Sequence, residues 1–292
     1  MMSLHIVIDS SARFSNPRLM EQYPITVVPY KLDIGGKYHR EGIDISDDEA
    51  LRLIKSQTKP PTVVAPSVDE YAETFTRLSR MYDKLISIHT SREITQSWYN
   101  ARQAAQQVSD FCDVAVIDSR SICAGQGMLA RLAVEAVQAG DTFEQVVNNV
   151  RRAVERLYAV YYVETLDYLY HNQIMTDARS ILGTMLKIKP VVSIEDGEPV
   201  ITEKVRTHTQ AVDRLVEFLS EFETLEDAII IQNRTHITEQ TRQLQDRLAL
   251  EFPGRHFPYG MYGATLGALL GGSVTGVVIL ESEIEGFYDG EY

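Results

Sequence analysis

The sequence contains few cysteines and few cationic residues. Cys112 and Cys123 are the two cysteines among 292 residues, and they lack the CxxC spacing of zinc sites. Lys and Arg number 28 against 41 Asp and Glu, which gives a formal net charge of −13. No basic run offsets this charge, and a phosphate backbone attracts basic surfaces. The composition therefore argues against disulfide-stapled, zinc-binding and nucleic-acid-binding proteins.

Segments that target or anchor a protein are also scarce. Met1 to Ser10 lacks the basic region and the long apolar stretch of a signal peptide, so we expect a cytoplasmic protein. Gly260 to Leu280 carries no charge, but repeated glycines and hydroxyl groups dilute its hydrophobicity. We interpret this segment as a glycine-rich turn or short helix beside a ligand site, followed by a buried strand over 274–280.

Common enzyme signatures are missing. The sequence has no phosphate loop, no dinucleotide-binding glycine motif, no H-E-x-x-H and no G-x-S-x-G. Of the seven histidines, no two are three or four residues apart, the spacing that places two imidazoles on one helix face. These absences disfavour the corresponding reactions and a histidine-based metal site.

Short β-branched runs alternate with stretches of helical periodicity in the first part of the chain. The runs HIVID over 5–9, LISIH over 85–89 and DVAVID over 113–118 predict a parallel sheet with helices on both faces, a three-layer α/β/α arrangement. Later, Asp196-Gly197 separates two neighbouring strands and predicts a hairpin. We therefore expect an α/β protein with a parallel N-terminal domain over 1–157 and a mixed-sheet C-terminal domain over 158–292.

Local signals predict individual boundaries. Ser46 with Glu49 and Ser67 with Glu70 have the spacing of capping boxes at helix starts. Further predicted elements are a strand over 25–32 interrupted by Pro29, helices over 95–108 and 176–186, and a strand over 256–259.

Hydroxyl groups recur where the predicted strands of the first half end. They belong to Ser10, Ser11, Thr90, Ser91, Thr95, Ser119 and Ser121. At the carboxyl edge of a parallel sheet such groups attract a carboxylate or a phosphate, and they also cap helices. Asp9 and Asp118 end two of these strands, where each either fixes its loop as an Asx turn or acts as an acid, base or magnesium ligand.

A series of short motifs runs in one order along the chain. They are IDSS over 8–11, REGIDIS over 40–46, Pro61-Thr62 with Pro66-Ser67, SIHTS over 87–91, IDSR over 117–120, Leu182-Gly183 with KIKP over 187–190, and EKVR over 203–206. In this order they resemble the DegV family of bacterial fatty-acid-binding proteins, from the first strand to the last.

The resemblance implies a fold and a role. It implies two α/β domains with an acyl chain buried between them, and a bound long-chain fatty acid in place of any cofactor. Proteins of this kind catalyse nothing alone and present the carboxyl group of the fatty acid to a separate ATP-dependent fatty acid kinase. Membrane contact is expected only transiently, during lipid exchange.

The resemblance also implies a head-group site, carried over residue by residue. Thr62 keeps the first hydroxyl of the family's Pro-Thr-Thr-Ser-Gln-Pro loop, whereas Val63 replaces the second and leaves only a backbone amide as a donor. Ser91 is kept in the next segment. Thr95 replaces the serine that contacts the carboxylate, and we expect it to be the N-cap of the following helix.

Two family positions depart from the pattern. Ile174 stands where the family has an arginine, and Leu269 where it has a histidine beside the head group. Either His171, Arg179 or Arg206 compensates for the lost positive charge, or the ligand is a neutral or differently headed lipid. Arg206 lies in a well-matched motif and either docks the kinase or forms a structural ion pair.

Two further hypotheses stay open. A phosphate-handling enzyme would use Asp9, Asp118 and the strand-end hydroxyls, although no phosphate loop is present. A diverged regulatory or interaction protein would explain the changes at Val63, Ile174 and Leu269.

Overall fold

The computed structural model describes residues 4–14, 18, 20, 23, 25–175 and 189–283. Within them the strands are β1 (Leu4–Asp9), β2 (Ile25–Val28), β3 (Lys31–Ile34), β4 (Lys37–Arg40), β5 (Thr62–Val64), β6 (Lys84–His89), β7 (Asp113–Asp118), β8 (Leu157–Tyr162), β9 (Lys189–Glu195), β10 (Glu198–Val205), β11 (Leu225–Gln232), β12 (Tyr259–Met261) and β13 (Thr275–Glu281). The helices are α1 (Asp47–Ser56), α2 (Val68–Leu78), α3 (Ser97–Gln107), α4 (Ala124–Ala139), α5 (Phe143–Val154), α6 (Asp167–His171), α7 (His208–Ser220), α8 (Glu239–Glu251) and α9 (Ala264–Leu270).

The first sheet is parallel, as predicted. Its strand order is β2-β1-β6-β7, and each neighbouring pair runs in the same direction. Alternate residues of β1 enter different apolar clusters, Ile6 and Ile8 on one face and Val7 on the other. Because both faces are covered, the strand is apolar on both sides, which explains the run HIVID.

The second sheet is mixed, also as predicted. Its order is β10-β9-β8-β13-β11-β12, and within it β11 and β12 are parallel while the other pairs are antiparallel. Asp196 and Gly197 join β9 to β10 with φ values of 49° and 90°. Two successive positive φ values are typical of the tight turn that Asp-Gly favours, so the hairpin prediction is confirmed.

Several predicted boundaries are wrong. The strand expected over 25–32 is two strands in two sheets, because Pro29 interrupts the first sheet and β3 joins a separate sheet of order β4-β3-β5. The helix expected over 95–108 is α3 (Ser97–Gln107), and the strand expected over 256–259 is β12 (Tyr259–Met261). The helix predicted over 176–186, with Arg179 in it, lies outside the described residues.

Other local predictions are confirmed. Ser67 and Glu70 form the predicted reciprocal capping box, whereas Ser46 and Glu49 form half of theirs: the Ser46 hydroxyl accepts from the Glu49 amide as the N-cap of α1. The glycine-rich segment contains the short helix α9 and then β13, a buried strand. None of the described helices has both the length and the apolar content needed to span a bilayer.

The largest apolar cluster is shared by both parts of the chain. It contains Ile8 of β1, Leu129 of α4, Ile229 of β11 and Leu269 of α9. Strands before residue 119 and strands from residue 157 onward belong to separate sheets, yet this cluster joins them. The division of the chain into domains at residue 157 stays a prediction, and "first half" and "second half" below refer only to residues before and after it.

Candidate functional site

The carboxylate of Asp9 is the centre of a buried polar network at the end of β1. Its Oδ1 accepts from the Ser11 amide at 3.3 Å and lies 2.7 Å from the Ser11 hydroxyl and 3.2 Å from that of Thr90. Its Oδ2 accepts from the Thr90 amide and from the Ser97 hydroxyl, both at 2.9 Å. The bond to the amide two residues ahead is an Asx turn, so that interpretation of Asp9 is confirmed.

His89 extends this network behind Asp9. Its Nδ1 lies 3.5 Å from Asp9 Oδ2 and 3.2 Å from the Ser97 hydroxyl, and its Nε2 lies 2.7 Å from the Ser87 hydroxyl. Burial alone would raise the pKa of Asp9, but the hydrogen bond and charge of His89, with the bonds from Thr90 and Ser11, lower it below its usual value. An acid, an imidazole and two hydroxyls thus meet, but Asp9, His89, Ser87 and Ser97 are all fully buried.

Asp118 ends β7 as Asp9 ends β1. Its Oδ1 accepts from the Arg120 amide at 3.0 Å and from the Arg92 amide at 3.3 Å. The first of these bonds is again an Asx turn, which confirms the same interpretation. Among the described residues, no group of three or more His, Cys, Asp or Glu side chains has the geometry to hold a metal ion.

Thr95 lies at the half-buried outer end of the Asp9 network. Its hydroxyl is 2.7 Å from the phenol oxygen of Tyr30 and accepts from the Ser97 amide at 3.3 Å. The N-cap of α3 is Gln96, which makes no side-chain capping bond, so the expectation that Thr95 is the N-cap is wrong. The Thr95 hydroxyl instead forms a local turn by accepting from the amide two residues ahead, that of Ser97, and it also contacts Tyr30.

Thr62 and Val63 meet a turn of the second half at the edge strand β5. The Thr62 hydroxyl lies 3.1 Å from His171 Nε2, and the Val63 amide donates to Asn172 Oδ1 at 2.9 Å. The Asn172 side-chain amide also lies 3.1 Å from three carbonyl oxygens, those of Pro61, Tyr168 and Ala268. We call this meeting of β5, the turn after α6, and α9 the Asn172 junction.

The two apolar substitutions lie beside the Asn172 junction. Ile174, two residues after Asn172, is half-buried and packs against the shared core. Leu269 follows Ala268 in α9 and is 2% exposed, within the same core. The structure therefore brings Thr62, Val63, Ile174 and Leu269 to one region.

Ser91 and Arg206 lie elsewhere. The buried Ser91 hydroxyl donates to the Gly197 carbonyl at 2.7 Å and so binds the hairpin of the second sheet. A Cβ on Gly197 would lie 2.4 Å from that hydroxyl oxygen, which explains why glycine is needed there. Arg206 is exposed after β10, and the described residues include no ion-pair partner for it.

Glu41 forms a second buried polar network, which joins the two halves. Its Oε1 accepts from Arg13 Nη2 at 3.2 Å and from the Thr265 amide at 2.9 Å, and its Oε2 accepts from the Ser10 and Thr265 hydroxyls at 2.6 Å. Arg13 also pairs with Asp47 at 2.8 Å. Burial raises the pKa of Glu41, the Arg13 charge offsets this only in part, and the Asp47 charge adds to it.

A cavity of about 650 Å³ opens beside the Glu41 network. Its apolar walls come from both halves and include Ile8, Val27, Ile43, Ile231 and Met261. The volume is within the range of small-molecule sites. The described residues lining it do not include Thr62, Val63, Ser91, Thr95, Ile174 or Leu269. The predicted head-group residues thus lie outside the lining of this cavity.

Sequence reasoning missed Tyr30 and Asn172, which contact the predicted head-group residues directly. Tyr30 follows Pro29 in a segment interpreted as an ordinary strand, so no sequence signal separated it from its neighbours. Asn172 lies in the segment where the family motif is replaced, and this departure was the available signal.

Comparisons with known proteins show what the chain is similar to. The chain matches the family model described as "Uncharacterised protein, DegV family" over residues 3–282. Protein DegV of Bacillus subtilis is 27% identical over 281 residues, which is 94% of this chain and 98% of the relative. The DegV domain-containing protein lin2658 of Listeria innocua is 28% identical over 275 residues, 93% of this chain and 96% of its own length.

Solved structures of similar proteins share the fold. The crystal structure of DegV from Bacillus subtilis, a fatty acid binding protein, superposes with a TM-score of 0.83 at 26% identity, over 96% of this chain and 100% of that one. The fatty acid binding DegV family protein SAG1342 from Streptococcus agalactiae superposes with a TM-score of 0.88 at 24% identity, over 97% and 100%.

Proposed function

Because the chain belongs to the DegV family, we propose that it is a lipid carrier that binds a long-chain fatty acid between its two halves. In this proposal it presents the carboxyl group to a separate fatty acid kinase and catalyses no reaction alone. The observation that carries the proposal is the pair of hydroxyl and amide donors, Thr62 and Val63, at the Asn172 junction beside an apolar core that both halves share.

Strand β3 connects the donors of the Asn172 junction to Thr95. Tyr30, which binds Thr95, is two residues before Leu32, and Leu32 pairs with Val63 across the β3–β5 ladder. Asn172 Oδ1 accepts from the Val63 amide at 2.9 Å, in the position that an oxygen of a ligand carboxylate would take. A bound head group therefore displaces the Asn172 side chain from Val63 and competes with His171 for the Thr62 hydroxyl.

The charge balance of this region differs from the family pattern. Ile174 and Leu269 place apolar side chains where the family has an arginine and a histidine. In our proposal the exposed imidazole of His171, in contact with Thr62, is the compensating group nearest the carboxylate. Ser91 supports the site indirectly, since its hydroxyl is committed to Gly197.

Affinity for the acyl chain follows from burial. Each methylene transferred from water contributes about 0.8 kcal/mol, so a chain of about sixteen carbons can be held tightly without a strong charge partner. The branched and aromatic side chains around the junction belong to the shared core and supply the apolar surface for this burial.

A carrier without catalysis is supported by the burial of the acid and imidazole groups. Asp9 and His89 have no exposed surface, and every oxygen of Asp9 already accepts from backbone and hydroxyl donors. We propose that the kinase docks on the surface around Arg206, because the guanidinium of this exposed residue can pair with an acidic group of a partner. A neutral lipid in the same place, or a purely regulatory role, are the alternatives that the experiment below separates.

Native mass spectrometry of the purified protein, followed by denaturing extraction, tests the proposal. We expect a copurifying C14 to C20 fatty acid at about one per chain, and saturable uptake of palmitate by the delipidated protein. The Thr95→Val variant should bind palmitate about tenfold more weakly, since a hydrogen bond to a charged group contributes about 1.5 to 3 kcal/mol.

Thr76→Val serves as the matched control, because Thr76 is an exposed helical threonine on α2. It should leave palmitate affinity unchanged. Extraction of a neutral lipid would point to the alternative head group. An empty protein that also refuses palmitate would refute the carrier hypothesis and leave the regulatory role.

A further inference from the structure

We propose that Tyr30 is a positioning residue that sets the direction of the Thr95 hydroxyl, so that its hydrogen points to the head group of the ligand. This inference rests on the proposed function, because it assigns Thr95 a donor role toward a carboxylate. The geometry that carries it is a cluster of buried hydroxyls between Asp9 and Thr95, whose hydrogens are directed by the Asp9 carboxylate.

The order of donation begins at Asp9. Its pKa is lowered, against the effect of burial, by His89, Thr90 and Ser11, so it is a carboxylate and can only accept. The Ser97 hydroxyl lies 2.9 Å from Asp9 Oδ2 and gives its single hydrogen to it. Ser97 therefore has no hydrogen left for any other neighbour.

Two further groups then point hydrogens toward Ser97. The Tyr71 phenol lies 2.6 Å from the Ser97 oxygen, so Tyr71 is the donor in that bond. His89 Nδ1 lies 3.2 Å from the same oxygen, 3.2 Å from the Tyr71 phenol oxygen and 3.5 Å from Asp9 Oδ2, and because all three are acceptors this nitrogen carries a hydrogen. The Ser97 oxygen thus accepts from Tyr71 and faces the Nδ1–H of His89, which makes it a poorer acceptor than Thr95 for the Tyr30 hydrogen.

We assign the hydrogen of Tyr30 to Thr95, because the two oxygens are 2.7 Å apart and Tyr30 is fully buried. The Thr95 oxygen also accepts from the Ser97 amide at 3.3 Å, so both of its lone pairs are used. The one unassigned group is the Thr95 hydroxyl hydrogen, and Thr95 is half-buried at the edge of the network.

This arrangement gives the site a preference for ligands that accept a hydrogen bond from Thr95. A hydroxyl whose lone pairs are occupied can only donate, so Thr95 favours an acceptor such as a carboxylate oxygen and cannot accept from a ligand hydroxyl or amide. Without Tyr30, Thr95 would rotate freely between donating and accepting. The preorganisation would then be lost, although the threonine itself remains.

A double-mutant cycle on palmitate binding tests the inference. Tyr30→Phe should weaken palmitate binding about threefold to tenfold and should leave binding of hexadecanol, the neutral analogue, nearly unchanged. Thr95→Val should weaken palmitate binding about tenfold, and the double variant should bind no more weakly than Thr95→Val alone. Thr95→Ser keeps the hydroxyl and should retain the sensitivity to Tyr30→Phe.

Tyr162→Phe is the matched control, because Tyr162 is a buried tyrosine whose hydroxyl lies 3.1 Å from Nδ1 of His208 in the second half. It should not change the ratio of palmitate to hexadecanol affinity. Equal loss for both ligands, or additive effects in the double variant, would show a merely structural role for Tyr30. If the wild type binds palmitate but only Thr95→Val weakens it, this inference fails alone; if the wild type binds no fatty acid, the proposed function fails first.

Discussion

Asp9 and Glu41 are two buried carboxylates with opposite pKa shifts. Asp9 accepts five hydrogen bonds within the first half, and His89, Thr90 and Ser11 outweigh burial and lower its pKa. Glu41 joins the first half to α9 of the second and accepts four hydrogen bonds, yet its pKa is raised. The number of hydrogen bonds therefore does not decide the direction of the shift.

The difference between the two pKa shifts lies in the charged groups beside each carboxylate. Arg13 pairs with Glu41 and with Asp47, so one guanidinium serves two carboxylates. Asp9 has an imidazole beside it, and no second carboxylate is among the causes of its shift. The Asp9 network therefore favours an ionised carboxylate, whereas the Glu41 network also accommodates a protonated one. This contrast can be tested with amide substitutions, which keep size and shape.

The largest effect is expected from Asp9→Asn. Each Asp9 oxygen faces a backbone amide, Ser11 at Oδ1 and Thr90 at Oδ2, so either orientation of the new side chain points an N–H at another N–H. We expect the free energy of unfolding to fall by about 3 kcal/mol or more, as when a buried charged partner is removed. Urea denaturation followed by circular dichroism measures this.

Asp118→Asn is the control for that prediction. Both amides that reach Asp118 point to the same oxygen, Oδ1, so an asparagine can keep both bonds. Its expected loss is below about 1 kcal/mol. Equal losses of unfolding free energy in Asp9→Asn and Asp118→Asn would contradict this prediction. They would show that having an amide at each oxygen of Asp9 adds nothing to the cost of the substitution.

A smaller effect is expected from Glu41→Gln. The Arg13 and Thr265 N–H groups both point to Oε1, whereas Oε2 faces only the hydroxyls of Ser10 and Thr265, which can accept as well as donate. A glutamine with its oxygen toward Arg13 therefore keeps the two bonds at Oε1, and its amide hydrogens can be donated to the two hydroxyl oxygens. The unfolding free energy at neutral pH should fall by about 1 kcal/mol or less. A loss as large as that of Asp9→Asn would contradict the contrast between the two networks.

The sequence predicts those parts of the fold whose cause is local. Asp196-Gly197 specifies its hairpin because both residues accept positive φ, and Ser67 with Glu70 specifies a helix start within four residues. The apolar runs ending at Asp9 and Asp118 predict parallel strands because both faces must be buried. The three-stranded sheet was not predicted, because its strands are three or four residues long and two of them, β3 and β4, mix charged with apolar side chains.

The candidate site was predicted less completely because its contacts are distant in sequence. Thr62 meets His171 across 109 residues, and Glu41 meets Thr265 across 224 residues. No periodicity or spacing encodes such pairs, and a glutamate followed by glycine in a loop is usually exposed. The resemblance located Thr62, Val63, Ile174 and Leu269, whereas Tyr30 and Asn172 become apparent only once the chain is folded.

The smallest predicted effect is a pH dependence that separates the two carboxylates. Because the folded pKa of Glu41 is above its unfolded value of 4.5, the folded protein binds more protons there, and Glu41 reduces stability as pH rises through that window. The stability that Asp9 contributes is present above 3.8, its unfolded pKa, and is lost only as pH falls through its lower folded pKa. Urea denaturation between about pH 8 and about pH 5 should therefore show a wild-type stability that rises, relative to Glu41→Gln, as the pH falls. Asp9 stays ionised over the whole range in both proteins, so it cancels from this difference. A difference that is constant with pH, or that has the opposite slope, would mean that Glu41 is held as a charge in the same way as Asp9.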